Sequence, residues 1–207
     1  MRALPNMTVI EPADATEIEQ AVAAVADHPG PVYLRLKRGE IPKIFDDDHR
    51  LDLRKAQVLI GGDSSDVCLV ASGMMIPPTL AAARCLADNG VCAAVINVPV
   101  LKPLDAATII SVARRVRVVI TVENHTVVGG LGSAVAEVLA EAGIAPPLRR
   151  IGIMDVFAES GSREFLFNRY GLATQSIVDA AWRGVAVNRP VPTAPAMEAS
   201  PGTYAPV

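Results

Sequence analysis

The chain has 207 residues, 51% of them apolar, 4% aromatic and 20% charged, with a formal net charge of −3. That length holds one full domain and part of another, and with so few aromatics its core must be filled by aliphatic side chains and alanine. The mixed charge leaves no electrostatic footprint for nucleic acid or a membrane surface, and no run reaches the ~18 uninterrupted apolar residues of a membrane span.

The first segment reads strand, helix, strand. Met7–Ile10 is a short apolar strand. Asp14 stands three residues before Glu17, the spacing of a capping box. Ile18, Ala21, Val22 and Val25 follow at helical spacing and share one face. His28-Pro29-Gly30-Pro31 ends that helix, and Val32–Leu36 is the next strand, running into Lys37-Arg38-Gly39-Glu40. Residues 41–57 change character: Asp46-Asp47-Asp48 and alternating charges predict an exposed linker. The stretch from Lys55 to Gly62 is expected to give a short edge strand.

From Asp66 a regular alternation begins. Val67–Ala71, Val91–Val98 and Val116–Val122 are buried strands. Pro77 and Pro78 open a helix through Leu86, with Asn89-Gly90 as its stop signal. Asp105 caps a helix whose Ile109, Val112, Ala113 and Val116 share a face. Gly129-Gly130 lead into another, with Leu131, Ala134, Val135, Val138, Leu139 and Ala142 on one stripe. A fourth strand is expected near Leu148–Ile153, and two helices near Arg163–Tyr170 and Thr174–Trp182. Repeated strand–helix units with near-continuous apolar strands imply an α/β fold, a doubly wound, mostly parallel sheet covered by helices on both faces. Residues 185–207 hold five prolines and read as a disordered tail.

The three cysteines, Cys68, Cys85 and Cys92, fit no metal spacing, and each lies in an apolar run. They read as small buried hydrophobes, and a reducing cytoplasm fits them. The first residues, MRALPNMTVIEPAD, contain no signal-peptide core.

In open α/β sheets, ligands bind beyond the carboxyl ends of the strands. Three segments are expected there as loops: Ser72-Gly73-Met74, Pro99–Pro103, and Glu123-Asn124-His125-Thr126 with the glycines that follow. Glu123 and His125 could form an acid–base pair. Gly129, Gly130 and Gly132 precede a helix N-terminus, where free N–H groups attract anions. The run is not a full G-x-G-x-x-G, so the glycines equally serve a tight turn and close packing of helix on sheet. Without a second His or Cys nearby, a metal site is not expected. The other candidate is the basic pair Arg35 and Arg38, since arginine matches phosphate oxygens bidentately. The two converge only if the strand ends between them; otherwise they are solvated surface charges.

Several stretches together resemble the transketolase family. They are Leu4-Pro5-Asn6 with Val9-Ile10-Glu11-Pro12-Ala13-Asp14, then Gly30–Leu36 with Arg38-Gly39, then VITVENHTVVGGLGSAVAE at Val119–Glu137. Phe157-Ala158-Glu159-Ser160-Gly161 and Tyr170-Gly171-Leu172 continue the match in order, so that it covers about residues 3–183.

The resemblance implies thiamine diphosphate chemistry that moves a two-carbon ketol unit between sugar phosphates. It implies that residues 1–40 are the end of a pyrimidine-binding domain, 41–57 a linker and 58–184 the family's C-terminal domain. The activating glutamate and the pyrophosphate-binding domain would lie outside this chain. The chain alone would then hold no cofactor and be inactive. In a complete complex, thiamine diphosphate with Mg²⁺ or Ca²⁺ is expected, together with a pyrophosphate-binding N-terminal subunit, as a homodimer or heterotetramer. Arg38 aligns with the family arginine that contacts the sugar phosphate, and Arg35 follows it less closely. Glu123, His125, Gly130 and Gly132 become a loop or interface site. The rival readings are deoxyxylulose phosphate synthase, a 2-oxo acid dehydrogenase beta subunit, and a non-catalytic assembly domain. An unpaired half-sheet would leave Met7–Ile10, Val22 and Val25 exposed.

Overall fold

The computed structural model describes residues 1–61 and 65–185. Its larger sheet has five strands: β3 (Gln57–Ile60), β4 (Val67–Ala71), β5 (Ala93–Asn97), β7 (Val118–Thr126) and β8 (Leu148–Ile153). They lie in the order β3-β5-β4-β7-β8. β4 is parallel to both β5 and β7, and β7 is parallel to β8. Only the edge strand β3 runs antiparallel to its neighbour.

Side chains alternate across a strand, and β4 shows what that does here. Val67, Leu69 and Ala71 face one core, shared with α2 (Ile76–Asp88) and α6 (Thr174–Val185). Cys68 and Val70 face the other, shared with α3 (Ala106–Ala113) and α4 (Leu131–Glu141). Both sides of the strand are fully buried, which is why its sequence is continuously apolar. The expected doubly wound α/β architecture is therefore what the chain adopts. The last short helix is α5 (Arg163–Arg169), capped by Ser162, whose hydroxyl accepts from the Phe165 N–H.

The N-terminal residues form a second, three-stranded sheet. β1 (Thr8–Ile10) pairs in parallel with β2 (Val32–Leu34), and α1 (Ala15–Ala26) connects them. On its other side β1 pairs antiparallel with β6 (Val100–Lys102). β6 falls inside Pro99–Pro103, which the sequence pattern gives as a loop. This pairing corrects the expectation of an exposed apolar remnant: Val9 and Ile10 are buried. Val25 packs beneath the sheet and only Val22 stays in solvent. The gain is physical, because the strand edge that would otherwise face water has a partner.

Residues 41–57 also differ from an exposed linker. Asp14 caps α1 through Oδ1, which accepts from the Glu17 N–H at 3.0 Å. Its Oδ2 accepts from the N–H groups of Ile44 and Phe45 at 2.7 and 2.8 Å. Gln20 Oε1 accepts from the Leu51 N–H, and its Nε2 donates to the His49 carbonyl. Ile41, Ile44, Phe45, Leu51 and Leu53 then cover apolar surface. The segment is a strap tied to α1 by backbone groups, a device that composition does not reveal. The proline-rich tail lies outside the described residues apart from Val185, the buried last residue of α6.

Candidate functional site

β1 ends where Glu11 begins, and the Glu11 N–H donates to the Pro99 carbonyl at 2.8 Å. This turns an acidic side chain into the seam between the two sheets, where it is only 2% exposed. Three polar groups meet it. Arg35 Nη1 donates to Glu11 Oε1 at 2.7 Å, Ser72 Oγ donates to Oε2 at 3.1 Å, and the Lys37 ammonium abuts Oε1. Lys37 makes this contact as an ion pair without a well-directed hydrogen bond. Burial pushes the Lys37 pKa below its ordinary value, and Glu11 opposes that shift. Gly73 sits against the same carboxylate at φ +54°, and a Cβ there would lie 2.7 Å from Glu11 Cγ. Only glycine accepts both that conformation and that approach.

Arg35 and Arg38 do not converge. β2 ends at Leu34, before either of them. Arg35 turns inward, giving Nη1 to Glu11 and Nη2 to the Asn124 carbonyl at 2.7 Å. Arg38 is exposed and lines a cavity of about 380 Å³ together with Lys37, Asn124, Arg163 and an apolar wall that includes Met74, Ile153 and Phe167. Among the described residues the Arg38 guanidinium has no hydrogen-bond or ion-pair partner. Arg35 is thus a fixed part of the seam, whereas Arg38 is free to meet a ligand.

Glu123 to Thr126 prove to be the end of β7 and not a loop. Thr126 pairs with Ile153 of β8 after a break in register, which carries the strand beyond Val122. The Glu123 carboxylate is buried beneath the first turn of α4. It accepts from the Leu131 and Gly132 N–H groups at 2.7 and 2.8 Å. The anion site expected at that helix N-terminus is therefore filled by the chain's own carboxylate. The glycines are what let it fit: a Cβ on Gly130 would come within 1.9 Å of Glu123 Oε2, and one on Gly132 within 2.7 Å of Thr121 Oγ1. Burial raises the Glu123 pKa to about 7, against the two N–H donors, which lower it. His125 does not pair closely with it. Nδ1 is 4.0 Å from Glu123 Oε2 but 2.8 Å from the Thr126 carbonyl. Since a carbonyl only accepts, Nδ1 carries the proton and spends it on the backbone.

Glu11, Lys37 and Arg163 belong to these sites, and sequence reasoning missed all three; Ser72 was expected near a site only as part of a loop. The one available signal was Glu11 itself, a charge directly abutting an apolar strand. Cys92 also departs from expectation: it is exposed at the entrance to β5, whereas Cys68 and Cys85 are buried.

Two features define the class of protein: a parallel α/β domain, and a strand–helix–strand unit pinned to it by a buried ion cluster. Comparison with known proteins then places the chain among its relatives. Residues 55–177 match the family described as "Transketolase, C-terminal domain". The chain belongs to the transketolase family, and these residues form its C-terminal domain. A putative uncharacterized transketolase family protein of Sinorhizobium fredii is 47% identical over 86% of the chain and 52% of its own length. A 6-deoxy-6-sulfo-D-fructose transketolase subunit from Clostridium sp. is 41% identical over 87% of the chain and 55% of its own length. A solved structure titled "Split gene transketolase, inactive beta4 tetramer" is 40% identical with a TM-score of 0.84, covering 91% of this chain and 61% of that one. The chain thus spans about half the length of the curated relatives at the top of the match.

At Leu131 and Gly132 the chain leaves no free N–H groups for the pyrophosphate of thiamine diphosphate. Glu123 already fills the helix N-terminus at Gly130–Gly132 that could cradle a pyrophosphate. Among the described residues no group of three or more His, Cys, Asp or Glu could hold its metal. Nor, among them, is any helix long and apolar enough to cross a membrane.

Proposed function

We propose that the chain works within a transketolase complex that moves a two-carbon ketol unit between sugar phosphates. Its part is to bind and orient the phosphate end of the sugar and to hold the assembly together. Thiamine diphosphate and its Mg²⁺ or Ca²⁺ are carried by a pyrophosphate-binding subunit outside these residues, in a homodimer or heterotetramer. One observation carries this reading: Arg38 lines a cavity with no partner among the described residues, while its neighbours Arg35 and Lys37 are anchored on Glu11. A guanidinium on a fixed turn places a phosphate by charge-assisted hydrogen bonds and thereby orients the rest of the sugar. The Clostridium relative is named for a sugar whose end bears a sulfonate, another tetrahedral oxyanion that such an arginine suits.

Purification of the tagged chain from its own cells tests this. The complex recovered is expected to hold thiamine diphosphate and to transfer a ketol unit from a ketose phosphate to an aldose phosphate, while the isolated chain does neither. A complex that holds the cofactor but transfers nothing from any sugar phosphate would leave an assembly domain and sink the enzyme reading.

A second reading has an observation of its own. The 1-deoxy-D-xylulose-5-phosphate synthase of Syntrophotalea carbinolica is 39% identical over 86% of this chain, although the match covers only 28% of that protein. Consumption of pyruvate in place of the ketose phosphate would favour it.

A further inference from the structure

We infer that Arg163, in the first turn of α5, is a second contact for the sugar phosphate, reaching from the C-terminal domain into the cavity that Arg38 lines. The inference rests on the phosphate reading above and assigns to that site a residue from a different part of the fold.

Arg163 and Arg38 line the same cavity. Arg163 is also tied to the backbone just beyond Arg38. Arg163 Nη1 donates to the carbonyl of Glu40, two residues beyond Arg38, at 2.5 Å. The bond fixes the guanidinium of one arginine beside the turn that presents the other. It uses one of five N–H donors, and the remaining four find no protein acceptor among the described residues.

The local charge points the same way. Lys37, Arg38 and Arg163 are three cations on one cavity wall. The buried carboxylate next to them, Glu11, is already shared between Arg35 and Lys37. Neither Arg38 nor Arg163 has a carboxylate partner among the described residues, although Glu40 is close in sequence to one and bonded through its carbonyl to the other. Two guanidinium groups that line one cavity without a carboxylate partner among the described residues suit a dianionic phosphate, whose oxygens accept from both forks at once. Met74, Ile153 and Phe167 give the same cavity an apolar side against which the sugar can lie. A volume of about 380 Å³ has room for one small sugar phosphate.

The test is a calorimetric titration of the wild-type chain, Arg38→Ala, Arg163→Ala, Arg163→Lys and the double alanine variant. The probes are inorganic phosphate, fructose 6-phosphate and fructose. Arg163→Ala is expected to weaken both phosphate probes about tenfold or more, the worth of a charge-assisted hydrogen bond. It leaves fructose unchanged, and Arg163→Lys keeps part of the affinity. The double variant separates contact from support. If Arg163 touches the phosphate, its loss weakens binding again in the Arg38→Ala background. If it only steadies the Arg38 turn, no further loss appears, and the inference is overturned. Weakening by Arg38→Ala with none by Arg163→Ala overturns this inference and leaves the Arg38 reading standing. A wild-type chain that binds neither phosphate probe overturns both.

Discussion

Glu11 Oε1 and Arg35 Nη1 lie 2.7 Å apart across 24 positions of sequence, and the carboxylate is almost wholly buried. Such a pair stabilises only through its mutual compensation: Glu11 has left water, Arg35 is partly withdrawn from it, and removing one strands the other. Here one carboxylate serves two cations, so Glu11→Ala leaves Arg35 and Lys37 uncompensated together. The expected cost is about 3–5 kcal/mol, read as a lower midpoint in urea unfolding. Ser72→Ala, which removes only the hydroxyl at 3.1 Å, costs about 1 kcal/mol by the same measurement.

That cluster marks the limit of what could be read in the sequence. β4, β5 and the start of β7 were legible because a strand buried on both faces has to be apolar throughout. The caps Asp14 and Asp105 were legible because a cap acts three residues away. Glu11 was not, since its partners Arg35 and Ser72 lie 24 and 61 positions distant. β6 was hidden for the same reason: it is too short to show a period, and its partner β1 is nearly a hundred residues upstream. Glu123 was misplaced because polar residues at a strand's end look like a loop, and nothing local says that the helix after them will cover the carboxylate. Arg35 and Arg38 were a candidate pair on their chemistry, and family resemblance alone set Arg38 above Arg35. The chemistry of Arg38 depends on Arg35 and Lys37 being drawn away from it, and the spacing of three basic residues does not show that.

Glu123 gives a pH signature. Burial beneath α4 raises its folded pKa from an ordinary 4.5 to about 7, with Glu11 adding to the shift and Arg150 opposing it. The folded chain therefore holds this proton more tightly than the unfolded chain. The stability it contributes is complete below pH 4.5 and is lost as pH rises through about 7. Glu123→Gln removes the titration while keeping the size of the side chain. The stability difference between wild type and Glu123→Gln should move in favour of glutamine across that window and level off above it. Denaturant unfolding at a series of pH values reads the difference directly, and a flat difference would show that Glu123 stays ionised throughout.

Gly130 and Gly143 separate packing from backbone strain. Gly130 has φ −88°, which any residue adopts, yet a Cβ there would strike the Glu123 carboxylate at 1.9 Å. Gly143 has φ +63° and open space around it. Gly143→Ala should cost about 1 kcal/mol of backbone strain. Gly130→Ala should cost about 1–3 kcal/mol or more, as overpacking that also expels the group capping α4. Comparable losses in the two variants would mean that the contact at Gly130 relaxes freely.

The cysteines differ in reactivity because they differ in burial. Cys68 is shut inside the sheet, which pushes its thiol up to about 12, and Cys85 is buried on α2. Cys92 is exposed. A thiol reagent added to the folded chain at neutral pH should modify one cysteine rapidly, and peptide mapping should find the label on Cys92. The other two should react only at the rate of unfolding. Rapid labelling of Cys68 would require the β4 sheet to open readily.

Arg38 should show itself in the kinetics of the assembled complex as a binding residue. On the proposed reading it would hold a group remote from the bond being broken and so contact substrate and transition state alike. Arg38→Ala is then expected to raise KM for phosphorylated sugars about tenfold or more while kcat changes little. Arg38→Lys restores part of the loss, because it keeps the charge and gives up the fork. An unphosphorylated ketose, which makes no such contact, should be turned over by wild type and Arg38→Ala with the same kcat/KM. A fall in kcat with KM unchanged would place Arg38 at the reacting centre, and equal losses for phosphorylated and plain sugars would remove it from the phosphate site.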